Sequence, residues 1–175
     1  MVMFALAVCS NRVNGAIFPN SGPMTPGPRA TLRGGIALAP AQAPLAVKRA
    51  IWAANQLRSK PYRYGGGHAS FHDSGYDCSG TLSYALAGAG LISSPMSSSD
   101  FRRYGQRGQG RWITLYTRNG HTFAVIADLR LDTTPGDSPG IAGRGAGNRP
   151  FGVRLDLRPV IRWDSERPGF TFLTE

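Results

Sequence analysis

Apolar residues recur at three- and four-residue spacing between positions 44 and 60, where Val47, Ile51, Ala54 and Leu57 fall on one side of a helix. That spacing predicts an amphipathic helix, opened by Pro44 and stopped at Lys60-Pro61. A second helix is expected over 77–89. Asp77 is a suitable N-cap, Leu82, Ala85, Leu86 and Ala89 make its inner face, and Gly88 and Gly90 close it. Between the two helices, Gly65-Gly66-Gly67 forces a turn, because three consecutive glycines maximise backbone freedom. Further along, the period shortens to two. Runs at 112–117, 121–127 and 129–133 are rich in β-branched and aromatic residues, and Asn119-Gly120 between the first two signals a hairpin. A Gly/Pro-rich loop is expected over 135–150, with one or two more strands at 153–157 and 170–173. Helices first and antiparallel strands after them define an α+β fold class.

The first 43 residues follow neither period. Residues 1–9 are apolar, lack a basic start and are too short to span a bilayer, so they read as a weak or truncated export signal. From 10 to 44, Pro19, Pro23, Pro26, Pro28, Pro40 and Pro44 interleave with small residues. Such a composition buries too little to offset an ordering entropy of roughly 1–2 kcal/mol per residue. Residues 1–43 are therefore expected to be a signal-like, Pro/Gly-rich linker, largely disordered, and residues 44–175 a folded domain.

Composition narrows the class. In 175 residues, 41% are hydrophobic, which excludes wholesale disorder and falls far short of a multi-span membrane protein; no transmembrane span is expected. The net charge is +10, and eighteen of the twenty basic residues are arginine. Such a field draws anionic partners. The arginines are scattered, with only Arg102-Arg103 adjacent, so no specific nucleic-acid partner is expected.

Cys9 and Cys78 cannot build a disulfide scaffold, and neither lies in a CxxC pair. Cys78 follows the Asp77 cap, so its sulfur belongs to the first turn of a helix, where free N–H groups and the macrodipole favour an anion. Those features lower a thiol's pKa and can hold an oxyanion on an attacked carbonyl. The best base is His121, which opens an alternating strand; that alternation groups His121 with Phe123 and Val125, with the followers expected to enter the core. Asp132 lies across the next hairpin, where it can orient the imidazole, with Leu131 turned to the core; Thr133 competes for that role. His68 and His72 imitate a metal pair, but HxxxH needs a helix face and a third ligand, so a substrate-side loop and no metal are expected.

Three motifs in order, 61–67 (Pro-Tyr-Arg-Tyr-Gly-Gly-Gly), Tyr76-Asp77-Cys78-Ser79-Gly80, and Gly120-His121 before an apolar strand, resemble the NlpC/P60 family of papain-like cysteine peptidases. The resemblance covers about residues 45–133. It implies N-terminal helices packed on a central antiparallel sheet, Cys78 as nucleophile and His121 as base. By the same likeness Tyr62 stands beside the nucleophile to help bind substrate or oxyanion, and Asp77 and Ser79 line the pocket. The implied activity is hydrolysis of amide bonds in peptidoglycan stem peptides, between D-Glu and the diamino acid, by an extracytoplasmic monomer without a cofactor. The implied partner is the anionic cell wall. The chain departs from the family at Tyr64, where tryptophan is frequent, in 108–112, where a Pro-Gly-Asp turn is usual, and at Asp132, where histidine is common. Two other readings are a papain-like acyltransferase or amidase on another substrate, and a non-catalytic basic module that binds cell wall.

Overall fold

A computed structural model describes residues 12–13 and 16–133; the expected strands at 153–157 and 170–173, the loop at 135–150, the export segment and Cys9 lie outside the described residues. Among the described residues it is a mixed fold of three helices and small sheets. In chain order the elements are β1 (Arg12–Val13), β2 (Ala16–Ile17), β3 (Met24–Thr25), β4 (Thr31–Arg33), β5 (Ile36–Pro40), α1 (Leu45–Gln56), α2 (Cys78–Ala89), α3 (Ser98–Phe101), β6 (Ile113–Arg118), β7 (His121–Ile126) and β8 (Leu129–Leu131).

The stretch expected to be a mobile linker carries structure. β1 and β2 pair antiparallel, and β5 pairs parallel with β3 and antiparallel with β4. The Asn55 side chain fastens β5 to α1, accepting from Ala37 N at 3.0 Å and donating to Ala37 O at 2.8 Å. Trp52 Nε1 likewise donates to Pro23 O at 3.1 Å. Strands of two to five residues are too short to show a period, and the β3–β5–β4 sheet is held through β5 docking onto α1 rather than by composition. Phe18, Ala37 and Ala39 are buried there.

α1 forms where the spacing predicts it, with Val47, Ile51, Ala54 and Leu57 buried. Burying each large aliphatic side chain contributes roughly 1.5–3 kcal/mol before ordering costs. α2 is different, since every residue from Cys78 to Ala89 is buried, not only one face. It runs through the middle, packed against α1 on one side and β7 on another. Gly88 does not end it. A Cβ there would sit 2.5 Å from Ala53 Cβ, so glycine allows the close approach of α1, and the left-handed Gly90 (φ 78°) supplies the cap.

β6, β7 and β8 form an antiparallel meander. Asn119-Gly120 joins the first pair, with Arg118 opposite His121. The second turn is made by Ala127 (φ 47°) and Asp128 (φ 73°), both left-handed, as a primed hairpin turn requires. The alternation of β7 holds, but its polarity is the reverse of the expectation: Thr122, Ala124 and Ile126 are buried, while His121, Phe123 and Val125 lie half-buried on the opposite face. Thr122 and Ala124 are small enough for a close-packed interior, and Phe123 instead stacks on Tyr116 at 4.8 Å between ring centres. Leu131 faces the core as expected.

Candidate active site

The glycine-rich loop and the start of α2 are built as one piece. Tyr62 and Tyr76 form a parallel bridge, Tyr76 N donates to Pro61 O at 3.1 Å, and Asp77 N donates to Gly66 O at 3.2 Å. The close approach requires glycine at Gly80, since a Cβ there would lie 2.0 Å from Gly66 O. Asp77 caps α2 by accepting from Gly80 N at 2.8 Å and latches the loop by accepting from Gly65 N at 3.1 Å. Ser79 Oγ donates to Asp77 at 3.0 Å. His68, read in sequence as part of a loose loop, reaches the same cluster: its Nε2 lies 2.9 Å from Asp77 Oδ2 and 2.9 Å from Ser79 Oγ. Asp77 and Ser79 are thus 5% and 2% exposed, with their oxygens engaged in holding loop to helix. No local pattern announces His68 as their partner, because the contact depends on how the glycine turn folds back.

This scaffold presents Cys78 at the first position of α2, 8% exposed, and it is the free cysteine among the described residues. Tyr62 stands at the rim, 42% exposed; burial first, then the negative charges of Cys78 and Asp77, push its phenol above the ordinary value. Tyr64 beside it is almost wholly exposed.

The imidazole arrives from the sheet. His121 opens β7, and its Nε2 lies 3.1 Å from Asp132 Oδ1, the residue just after β8. The same imidazole is hydrogen-bonded to Cys78. The hydrogen bond to Asp132 above all, and then that to Cys78, outweigh burial and raise the His121 pKa to about 9. An imidazolium is therefore the stable form at neutral pH. Asp132, rather than Thr133, supplies the contact, and its side chain is 1% exposed. Asp132 Oδ2 accepts from Arg130 Nε at 3.0 Å and from Arg130 Nη2.

The structure therefore brings Cys78, His121 and Asp132 together, with Tyr62 at the edge, and gives Asp77 and Ser79 internal bonds. His72 is exposed, and among the described residues no group of three potential ligands could hold a metal ion. Nor, among the described residues, is any helix long and apolar enough to cross a membrane. Chemically, a thiol at a helix N-terminus, bonded to an imidazole that a buried carboxylate orients, is equipped for nucleophilic attack on a carbonyl.

No protein-family profile matches the chain, and no curated protein matches it. Among solved structures, it is similar to the peptidoglycan hydrolase RipB from Mycobacterium tuberculosis, at 24% identity over 63% of this chain, with a TM-score of 0.39. The match spans 64% of that chain's length. At that level of likeness the chemistry rests on the site's own residues.

Proposed function

We propose that this protein is a cysteine hydrolase that cleaves amide bonds in peptidoglycan stem peptides outside the cytoplasm. The observation that carries the reading is the position of His121, bonded at once to Cys78 at the head of α2 and to the buried Asp132. The substrate class comes from the motif resemblance, which reaches from the tyrosine-glycine loop through Asp77-Cys78-Ser79-Gly80 to His121. The γ-D-glutamyl to diamino acid bond is the linkage it implies.

In the proposed cycle the Cys78 thiolate attacks the carbonyl carbon, and the developing oxyanion is held by the backbone N–H of Cys78, with Tyr62 as second donor. His121, charged by its pairing with Asp132, gives its proton to the departing amine, leaving an acyl-thioester on Cys78. The neutral imidazole then takes a proton from water, whose oxygen attacks the thioester. Collapse releases the acid and restores the ion pair. Asp132 keeps the ring's tautomer and compensates the imidazolium charge throughout. Tyr64, exposed next to Tyr62, widens the rim on which a peptide can lie.

Digestion of purified peptidoglycan, with mass analysis of the released peptides, tests the reading. Wild-type protein is expected to release stem fragments, and Cys78→Ala to release none while keeping the wild-type melting temperature. Equal release by both proteins would overturn it.

A further inference from the structure

Arg130 has no part in the cycle above, yet it is bound into the site more tightly than a surface arginine needs to be. It sits on β8 opposite Val125, on the same face of the sheet as His121 and Phe123. Its guanidinium lies over the Phe123 ring, 4.1 Å from the centroid, and Phe123 is itself stacked on Tyr116. From that shelf both Nε and Nη2 donate to one oxygen of Asp132, Oδ2, while the other, Oδ1, faces His121. His121 and Arg130 thus take one carboxylate oxygen each, and the ring stack fixes the plane in which the guanidinium must lie.

We propose that Arg130 is a positioning residue: it clamps Asp132 through Oδ2 so that Oδ1 alone is offered to His121, and it offsets part of the carboxylate's pull on the imidazole proton. The inference rests on the hydrolase reading for its kinetic consequence but not for its electrostatic one. A carboxylate oxygen gripped by two donors of one planar fork has little freedom to rotate, whereas without the fork it has more. Arg130 removes that freedom, and its charge lies near enough to compete with the imidazolium for the same anion. Among the described residues, charged or titratable groups near the imidazole include Cys78 from α2, Arg118 across the β6–β7 pair, Tyr116 behind Phe123, and Tyr62, coupled to it through Cys78.

The test is a pH titration of the His121 ring by NMR in three proteins, wild type, Arg130→Met and Arg130→Lys, alongside kcat and KM on a stem peptide. Arg130→Met removes the competing cation, so the midpoint for loss of the His121 proton is expected to rise by about one pH unit. Its kcat is expected to fall roughly tenfold with KM within about twofold, because Asp132, still bonded to His121 but no longer shared with a second cation, holds the imidazolium proton back from the departing amine while substrate contacts are unchanged. Arg130→Lys keeps the charge, holding the midpoint near wild type, and recovers only part of kcat, since an ammonium cannot fork or lie flat on the ring. A midpoint that stays or falls in Arg130→Met, a loss carried by KM, or full activity with lysine overturns the proposal. Should the methionine protein not fold, the lysine protein decides: partial kcat supports the clamp and full kcat refutes it. The titration needs no substrate. A wild type without Cys78-dependent hydrolysis would therefore sink the peptidase reading while Arg130 is still judged by the midpoint.

Discussion

The two halves of the site are made in opposite ways. The nucleophile side, from Pro61 to Gly80, is a contiguous stretch held by backbone bonds and one buried carboxylate, Asp77, that accepts from Gly65, Ser79, His68 and Gly80. The base side is assembled by sheet register, which sets His121 at the start of β7 against Asp132 after β8, with charges that govern each other. On the first side geometry is stiff because atoms are too close to move. On the second it is set by electrostatics, so it should respond to pH and to neutral substitutions that leave the fold alone.

The largest effect expected is on the base side. His121→Ala should lower kcat/KM at least ~1000-fold, about 4 kcal/mol in the barrier, and should also lower the melting temperature near neutral pH, since the pairing with buried Asp132 is lost. Activity within tenfold of wild type in a stem-peptide assay would mean that the proton partner lies elsewhere. Next comes the stiff side. Gly80→Ala drives a Cβ to 2.0 Å from Gly66 O, against backbone that cannot swing away, and should cost about 3 kcal/mol in urea unfolding. A loss under about 1 kcal/mol would show that the loop yields and that the contrast between the halves is overstated.

Asp132→Asn should reduce kcat roughly 30-fold, about 2 kcal/mol, and bring the His121 midpoint down from about 9 towards the ordinary 6.5, since the main source of its elevation is gone. The same change has a stability signature. A histidine raised in the folded state stabilises it fully below the unfolded pKa of 6.5, and that contribution is lost as pH rises through about 9. Wild-type unfolding free energy should therefore decline across that window, and Asp132→Asn should flatten the decline; an unchanged slope would place its cause outside this pair. The smallest effect is expected at His68. Replacing it with alanine removes its bonds to Asp77 and Ser79 and should cost about 1 kcal/mol of stability, while kcat changes less than about threefold. A larger kinetic loss would move His68 from the scaffold into the chemistry.

Much of the nucleophile side could be read along the chain, because helix capping is local. Asp77 before Cys78, glycines on either side and a left-handed glycine after Ala89 are signals within a few residues of what they determine. The hairpins were legible for the same reason, with one exception: Ala127-Asp128 carries no glycine, yet both residues adopt positive φ. Register is not local. Alternation in β7 shows two faces but not which is inside, and the more apolar set, Phe123 and Val125, turned out to be the half-buried one. The strands between 24 and 40 were invisible to composition because Asn55 and Trp52, on a helix later in the chain, hold them.

Residue order alone was enough to place a thiol at the head of a helix and an imidazole at the head of a strand, since each depends on neighbours a few bonds away. That the two side chains meet, that Asp132 reaches His121 with one oxygen and Arg130 with the other, and that His68 closes the loop onto Asp77 required the folded chain. Contacts between distant segments follow from packing and register, whose free energy is shared over the whole domain and written at no single position.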